Sequence, residues 1–138
     1  MKSIKLNLIL LAVLAIAFSS CKKEEDDHSH DSTSDTSKPV ITISSPVSTA
    51  MYNNGDTIKI RGKVTDNSLH ELLIKVVNDA NGAVLYSTAP TVHDLTTYSF
   101  SVDWKSSVTD HTNASIIVLA EDHSSNVSSD TVHVHIMP

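Results

Sequence analysis

The carboxyl-terminal hundred residues alternate between β-branched or aromatic residues and polar ones. Residues 98–104 show this most clearly, because Tyr98, Phe100, Val102 and Trp104 alternate with serine and aspartate. Side chains two positions apart on a strand share one face of a sheet, so each alternating segment predicts a half-buried strand. The apolar spacing of an amphipathic helix is nearly absent. The pattern therefore predicts an all-β domain.

Turn signals separate the alternating segments, notably at residues 53–56 and 78–82, where Asn, Asp and Gly cluster. The nearly continuous apolar run at 115–121 predicts a central strand that is covered on both faces. Seven short strands in this order predict an antiparallel β-sandwich, with Trp104 in its core. The seven predicted strands are 40–44, 57–64, 72–76, 83–87, 98–104, 115–121 and 132–136.

The amino-terminal end has a different pattern. A basic start is followed by 13 mostly apolar residues from Leu6 to Phe18, two serines and Cys21. The apolar run is shorter than the roughly 20 residues that span a bilayer, so it predicts a secretory signal peptide rather than a membrane helix. Cys21 is the only cysteine of the chain, and lipidation would explain an unpaired thiol in an exported protein. A signal peptide that is cleaved without lipidation remains open.

Residues 22–38 begin with two lysines and an acidic run at 24–27, and they contain no apolar side chain. Such a segment cannot bury surface and predicts a flexible tether with a reach of about 20–25 Å. The sequence therefore divides into a signal peptide at 1–20, a lipidated cysteine with its tether at 21–38, and the β domain at 39–138.

The formal net charge of the chain is −6. Removal of residues 1–20 takes away two lysines and leaves 8 basic and 16 acidic side chains, a charge of −8. A negative surface argues against nucleic acid as a partner and against direct adsorption to anionic lipid. It is compatible with cations, neutral glycans or basic proteins, and it leaves the lipid anchor at Cys21 as the expected contact with the membrane.

Two sets of residues are candidate metal ligands. Asp66 and Asp122 end two predicted strands, and Asn126 follows the second strand closely. Because strand ends of a sandwich can lie at one pole, these oxygen donors predict a calcium site. The alternative is that they cap turns by bonding to nearby backbone groups.

The second set consists of histidines. His28 and His30 lie in the tether, and His133 and His135 lie on the last predicted strand. Positions two apart on a strand face the same way at about 6.5–7 Å, so the strand pair can chelate zinc, copper or nickel. The alternative is that these histidines are ordinary exposed polar residues.

The sequence predicts that the protein is not an enzyme. The chain lacks the Gly-x-Ser-x-Gly and His-Glu-x-x-His motifs as well as glycine-rich phosphate loops, and it has only three glycines. The dipeptide His70-Glu71 stands alone and carries no catalytic motif. No cofactor is expected beyond a bound zinc or calcium ion.

Several segments are similar to known families. Phe18-Ser19-Ser20-Cys21 resembles the relaxed lipobox of Bacteroidetes lipoproteins, and residues 23–27 resemble the acidic signal that exports them to the outer face of the outer membrane. Residues 39–138 resemble bacterial immunoglobulin-like domains and, more narrowly, the DUF4625 family of Bacteroidetes lipoproteins. Within them, residues 120–122 resemble the Ala-x-Asp of cadherin repeats. The resemblance implies a surface lipoprotein but carries no established activity.

The favoured function is that of a lipid-anchored, non-enzymatic binding or accessory module of the outer membrane, with a protein or glycan partner at the cell surface. The basic face of Lys59, Arg61 and Lys63 and the loops near Asp66 and Asp122 are the expected contact surfaces. The first alternative is a metal-binding lipoprotein that assists uptake or resistance. The second is a structural subunit of an outer-membrane assembly.

Overall fold

A computed structural model describes residues 35–138 of the protein. The signal peptide, Cys21 and most of the predicted tether lie outside these residues. The described part contains eight strands and no helix: β1 Val40–Ser45, β2 Ala50–Asn53, β3 Thr57–Thr65, β4 Leu69–Asn78, β5 Val84–Thr88, β6 Thr97–Lys105, β7 Thr112–Asp122 and β8 Val127–Met137. Within residues 35–138, no helix is long and apolar enough to cross a bilayer.

The strands form two sheets that face each other across one core. One sheet has the order β1-β3-β6 and the other the order β2-β8-β7-β4-β5. Neighbouring strands are antiparallel except β2 and β8, which run parallel. The predicted all-β, immunoglobulin-like sandwich is confirmed.

The eighth strand, β2, is the element that the sequence pattern missed. It has only four residues, and its last, Asn53, begins the turn signal that predicted a loop at 53–56. Four residues offer too few alternations for a period of two to stand out. β2 is also the strand that breaks the predicted antiparallel arrangement, because it joins the edge of the larger sheet beside β8.

The core is built from the inward positions of both sheets. On β3, Ile58, Ile60 and Val64 are fully buried while Lys59 and Lys63 between them are exposed, as the alternation predicted. The buried hydrophobic residues are Ile58, Ile60, Val64, Leu69, Leu72, Ile74, Val76, Val92, Phe100, Trp104, Ala114, Ile116, Val118, Ala120, Val134 and Ile136.

Gly62 interrupts the inward row of β3 for a steric reason. A Cβ at this position would collide with the Phe100 ring and with the Thr42 carbonyl oxygen. Gly62 pairs with Phe100 on β6 and with Ile43 on β1. The missing side chain therefore leaves the space that the Phe100 ring fills.

β7 is central in the larger sheet, paired with β4 on one side and β8 on the other. Its inner face is fully buried at Ile116 and Val118, whereas Ile117 and Leu119 on the outer face are only half-buried. The prediction that this strand is covered on both faces is wrong for the outer face. Aliphatic neighbours in the same sheet, such as Leu73 opposite Leu119, shield these side chains partly from water.

Three loops meet at one end of the sandwich, which we call the histidine pole: residues 66–68, 89–96 and 123–126. Their backbones are bonded to one another and to the start of β4. The Asp94 amide donates to the Leu69 carbonyl at 2.9 Å, and the His123 amide donates to the Ser68 carbonyl at 3.1 Å. These bonds fix the relative positions of side chains that are far apart in the sequence.

Candidate functional site

Three imidazoles converge at the histidine pole. The ring centroids of His70 and His93 are 5.3 Å apart, those of His70 and His123 are 4.7 Å apart, and those of His93 and His123 are 4.5 Å apart. One ring nitrogen from each residue lies within 4.8 Å of the other two. A single ion placed between the rings would reach all three residues.

The separation of the two nearest nitrogens matches metal geometry. Nδ1 of His70 lies 3.3 Å from Nδ1 of His93. In a tetrahedral zinc site with bonds of about 2.0–2.1 Å, neighbouring nitrogens are about 3.3–3.4 Å apart. These two rings therefore already have the spacing of ligands that share one ion.

A β-bulge aims His70 into this cluster. On β4, Leu69 pairs with Asp122 and Glu71 pairs with Glu121, so His70 is the extra residue between them. A bulge redirects the side chain of its extra residue and interrupts regular alternation. His70 thereby faces His123, which follows Asp122 directly at the end of β7.

A tight turn presents His93. Val92 is buried and its carbonyl accepts a bond from the Leu95 amide at 3.0 Å. Asp94 has a φ of 62°, in the left-handed region that aspartate tolerates better than most residues. The turn is thus anchored by Val92 on one side and by the Asp94 amide on the other, which leaves both His93 and Asp94 facing outward at the pole.

Each imidazole has a carboxylate near its Nε2 atom. Nε2 of His123 lies 3.0 Å from Asp94 Oδ1, Nε2 of His93 lies 3.6 Å from Asp94 Oδ2, and Nε2 of His70 lies 4.0 Å from Glu71 Oε1. A carboxylate favours the proton on the nitrogen it faces and leaves the lone pair on the other, as metal-ligating histidines require. We therefore assign Nδ1 as the ligand atom of His70 and His93, whose Nδ1 atoms lie 3.3 Å apart, and we call the three histidines together with Asp94 the histidine site.

The histidine site is open to water. The three histidine side chains are between 35% and 54% exposed, and the Asp94 side chain is 73% exposed. Structural zinc sites have four protein ligands and are closed, whereas sites with three protein ligands keep a position for water or another ligand. The arrangement fits an ion that exchanges with the surroundings.

A second cluster lies at the same pole. Asp35, Asp66 and Asp122 each place a carboxylate oxygen within 4.8 Å of the others, and we call them the acidic cluster. The structure thus brings together Asp66 and Asp122, which the sequence predicted to meet at one pole. Asp35 lies in the predicted tether, and its carbonyl accepts a bond from Asn126 Nδ2 at 2.9 Å.

Asp122 is 1% exposed and its oxygens are engaged. Oδ1 accepts bonds from the backbone amides of Ser124 and Asn126, both at 2.8 Å, and Oδ2 accepts a bond from Asn126 Nδ2 at 2.7 Å. Burial alone would raise the pKa of Asp122, but these bonds from Asn126 and Ser124, with the nearby His123, outweigh it and hold the pKa below its usual range. The charged carboxylate therefore stabilises the fold above a pH of about 4, and this contribution is lost as the pH falls through the lowered pKa.

These contacts are those of turn caps. Asp66 Oδ1 accepts a bond from the Ser68 amide at 2.9 Å, which is an Asx turn. Asn126 points its amide nitrogen at Asp122 and at the Asp35 carbonyl, so these contacts use it as a donor and not as an oxygen ligand. Calcium takes six to eight oxygens, and the bonds to Asp122 already occupy much of its capacity to accept.

His133 and His135 lie on the outer face of the larger sheet but in separate environments. His133 Nδ1 is 3.0 Å from Ser115 Oγ, and His135 Nδ1 is 2.7 Å from Asn113 Oδ1. Among residues 35–138, the groups of three or more His, Cys, Asp or Glu that can share an ion include neither histidine. The tether histidines His28 and His30 lie outside the described residues.

Ser115, His133 and Asp79 have the composition of a hydrolase triad but not its connectivity. Ser115 Oγ donates to Asp79 Oδ1 at 2.6 Å and also contacts Nδ1 of His133. In a triad the aspartate holds one ring nitrogen while the serine bonds to the other. Here the serine bonds to both partners and is itself nearly buried, so the network holds β7, β8 and the loop after β4 together.

The basic face predicted on β3 is partly engaged within the domain. Arg61 forms an ion pair with Asp103 and donates to the Val102 carbonyl at 2.6 Å. Lys59 and Lys63 remain exposed on the same strand. The face therefore offers two lysines rather than three free cations.

The sequence did not single out the histidine site. Its ligands are 23 and 30 residues apart and form no motif. One weak signal was present: each histidine adjoins an acidic residue, as His70-Glu71, His93-Asp94 and Asp122-His123. The bulge that directs His70 toward the other histidines could not be recognised from the alternation of apolar and polar residues along β4.

Comparison with known proteins gives no family. No family model matches the chain, and no curated protein matches it. A solved engineered protein is 15% identical with a TM-score of 0.53, over 73% of this chain and 20% of that one. At this identity the likeness concerns the fold alone.

Two further solved structures are similar. The fibronectin(III)-like modules of CbhA from Clostridium thermocellum are 14% identical over 71% of this chain and 96% of that one, with a TM-score of 0.47. Spo0M, a sporulation control protein from Bacillus subtilis, is 10% identical over 73% of this chain and 49% of that one, with a TM-score of 0.49. The chain spans only about a fifth of the engineered protein, and likeness at these identities concerns the fold alone.

Proposed function

We propose that this protein is a lipid-anchored, non-enzymatic binding module whose ligand is a divalent transition metal ion held by His70, His93 and His123. The observation that carries the proposal is the convergence of three imidazoles, two of them with Nδ1 atoms 3.3 Å apart, each with a carboxylate beside its Nε2. This replaces the pairing of His133 with His135 as the favoured metal site.

The donor set selects the class of ion. Imidazole nitrogens suit Zn²⁺, Cu²⁺ and Ni²⁺, whereas Ca²⁺ and Mg²⁺ prefer oxygen. Affinity at such a site is expected to rise from Ni²⁺ to Cu²⁺ and to fall again at Zn²⁺. The fourth position is open, so water or a small anion would complete a tetrahedral zinc ion.

The amino-terminal sequence supports a location outside the cytoplasm. The order of basic residues, apolar run and Cys21 is typical of lipoproteins, and the acidic run after it resembles a surface-export signal. The excess of acidic side chains favours cations near the domain. A tethered metal-binding module at the outer membrane would serve capture of scarce metal or protection from excess, as a member of a DUF4625-like group of lipoproteins.

Metal binding is tested by calorimetric titration of the purified full chain. Cys21→Ser, His28→Gln and His30→Gln are introduced first, so that the thiol and the tether histidines cannot bind the ion. We expect one Zn²⁺ or Cu²⁺ per chain with a sub-micromolar Kd, and little heat with Ca²⁺. His93→Gln should weaken binding by at least 10-fold, and His133→Gln is the matched control on the outer sheet face.

Absence of binding by both Zn²⁺ and Cu²⁺ would overturn the proposed ligand. Binding that His133→Gln abolishes and His93→Gln spares would move the site to β8. The lipid anchor is tested separately by mass spectrometry of the native protein. Cys21 should be the first residue and should be acylated, and an unacylated amino terminus would contradict the lipid anchor.

A further inference from the structure

A second group of donor side chains lies on the outer face of the larger sheet, away from the histidine pole. β7 begins beside it and ends at Asp122, so about 30 Å of strand separates the two regions. The group comprises Met51 on β2, His135 and Met137 on β8, and His111 just before β7. We call it the Met–His patch.

The strand register brings these residues together. Met51 pairs with His135, and Asn53 pairs with Met137, in the parallel ladder of β2 and β8. The alternate residues Tyr52 and Ile136 pack on the core, so the methionines and His135 share the outer face. Neighbouring strands are about 4.8 Å apart and positions two apart on a strand about 6.5–7 Å apart, distances that flexible methionine side chains can close over one ion.

The exposure of the two methionines is unusual for apolar side chains. Met51 is 77% exposed and Met137 is 43% exposed, and neither belongs to the buried core. The His111 ring centroid lies 6.3 Å from that of His135. Two thioethers and two imidazoles are therefore available at one place on the surface.

Hydrogen bonding prepares His135 as a ligand. Its Nδ1 is 2.7 Å from Asn113 Oδ1, and an amide oxygen can only accept, so with this amide orientation Nδ1 carries the proton. The lone pair is then on Nε2, which is free to coordinate. The same pattern of an oxygen behind the ligating imidazole is typical of metal sites.

We propose that the Met–His patch binds Cu(I). Thioether sulfur is a soft ligand that selects Cu(I), whereas Zn²⁺ sites use nitrogen, thiolate and oxygen and Ca²⁺ sites use oxygen. The proposal uses none of the residues of the histidine site, so it stands or falls independently of the function proposed above. If both hold, the two ends of one sheet bind ions of different softness.

The test is a competition titration with bicinchoninate, a chromophoric chelator of Cu(I), under anaerobic conditions with ascorbate. The full chain carries Cys21→Ser, His28→Gln, His30→Gln, His70→Gln and His93→Gln, which remove the thiol, the tether histidines and two of the three ligands of the histidine site. We expect one Cu(I) per chain that the chelator removes only in excess. Met51→Leu, Met137→Leu and His135→Gln should each weaken binding by about 10-fold or more, and His133→Gln should leave it unchanged.

X-ray absorption at the copper edge supplies an independent readout on the chain with its methionines intact. Sulfur scatterers are expected in the copper shell and should be lost in the Met51→Leu/Met137→Leu double variant, whose circular dichroism should match the parent. Unchanged affinity in that double variant, or a shell of nitrogen and oxygen alone in the parent, would overturn the proposal. If the double variant does not fold, the spectrum of the parent decides.

Discussion

Two clusters of metal-ligand residue types lie side by side at the histidine pole, and they differ in how their polar atoms are used. The acidic cluster centres on Asp122, which is buried and accepts three hydrogen bonds from within its own loop. The histidine site begins one residue later, at His123, and its side chains are open to water. In both clusters the ligand residues lie close together, so proximity alone does not distinguish a binding site from a structural one. The hydrogen bonds distinguish them, because the oxygens of Asp122 are already bonded within the loop.

The comparison has an energetic basis. A buried carboxylate without partners would be costly, and the bonds around Asp122 remove that cost while fixing the loop after β7. The imidazoles of the histidine site are exposed and lose little by facing water, and each has a carboxylate near its Nε2 atom. The acidic cluster supports the loop that presents the histidine site.

The largest effect is expected from a substitution in the core, on which the positions of both clusters depend. Trp104 is buried in the core, with its ring centroid 6.4 Å from that of Tyr86. Trp104→Ala should lower the free energy of unfolding by about 3–5 kcal/mol, because it leaves a cavity. Chemical denaturation with urea measures this loss, and a change below about 1 kcal/mol would contradict the packing described for the core.

The double variant His70→Gln/His93→Gln breaks the histidine site alone. Zinc affinity should fall by at least about 100-fold, since two of three ligands are removed, while the melting temperature of the metal-free protein stays within about 2 °C because both side chains are exposed. Calorimetry and thermal melting measure the two quantities. A large drop in melting temperature with unchanged zinc affinity would show that the histidines stabilise the fold and do not bind the ion.

The opposite result is expected for Asp122→Asn. An amide in place of the carboxylate lacks the charge and puts a donor where Asn126 also donates, so two N–H groups face each other. The melting temperature should fall more than in any single histidine variant. Zinc should still bind to the folded protein at low temperature, and complete loss of zinc binding under those conditions would assign Asp122 to the metal.

The smallest effect is expected from Asp94→Asn, which tests whether the Asp94 carboxylate supports the histidine ligands. Asp94→Asn removes the charge beside Nε2 of His123 and of His93. Loss of such a partner behind a ligating histidine should weaken zinc binding by about 10-fold, with little change in melting temperature. Glu71→Gln is the matched control, because Glu71 lies farther from its imidazole and should change the affinity less. Equal effects of the two substitutions would argue against the assigned roles.

Particular residues show how far the sequence predicts this molecule. The inward rows of β3 and β6 were predictable because a period of two encodes a half-buried strand directly. The four-residue β2 was not, because its last residue belongs to a turn signal. The meeting of Asp66 and Asp122 was predictable, since strand ends are visible in the sequence and gather at a pole.

The histidine site was not predictable for a physical reason. Its three ligands come from a bulge in β4 and from two loops, and these meet only after the strands have paired. The bulge at His70 has no sequence signature, and the turn that carries His93 is placed by backbone bonds to Leu69 rather than by any motif. The contact of Asp35 with Asn126 was equally hidden, because the composition around Asp35 predicted only a tether.

The most direct test of the central claim is long-range ¹H–¹⁵N NMR of the histidine rings during titration with Zn²⁺. We predict that one ring nitrogen each of His70, His93 and His123 moves to a metal-bound shift, and that all three shifts saturate together at one equivalent. The rings of His133 and His135 should remain unchanged at that point. Unchanged rings at the histidine pole, or shifts confined to His133 and His135, would contradict it.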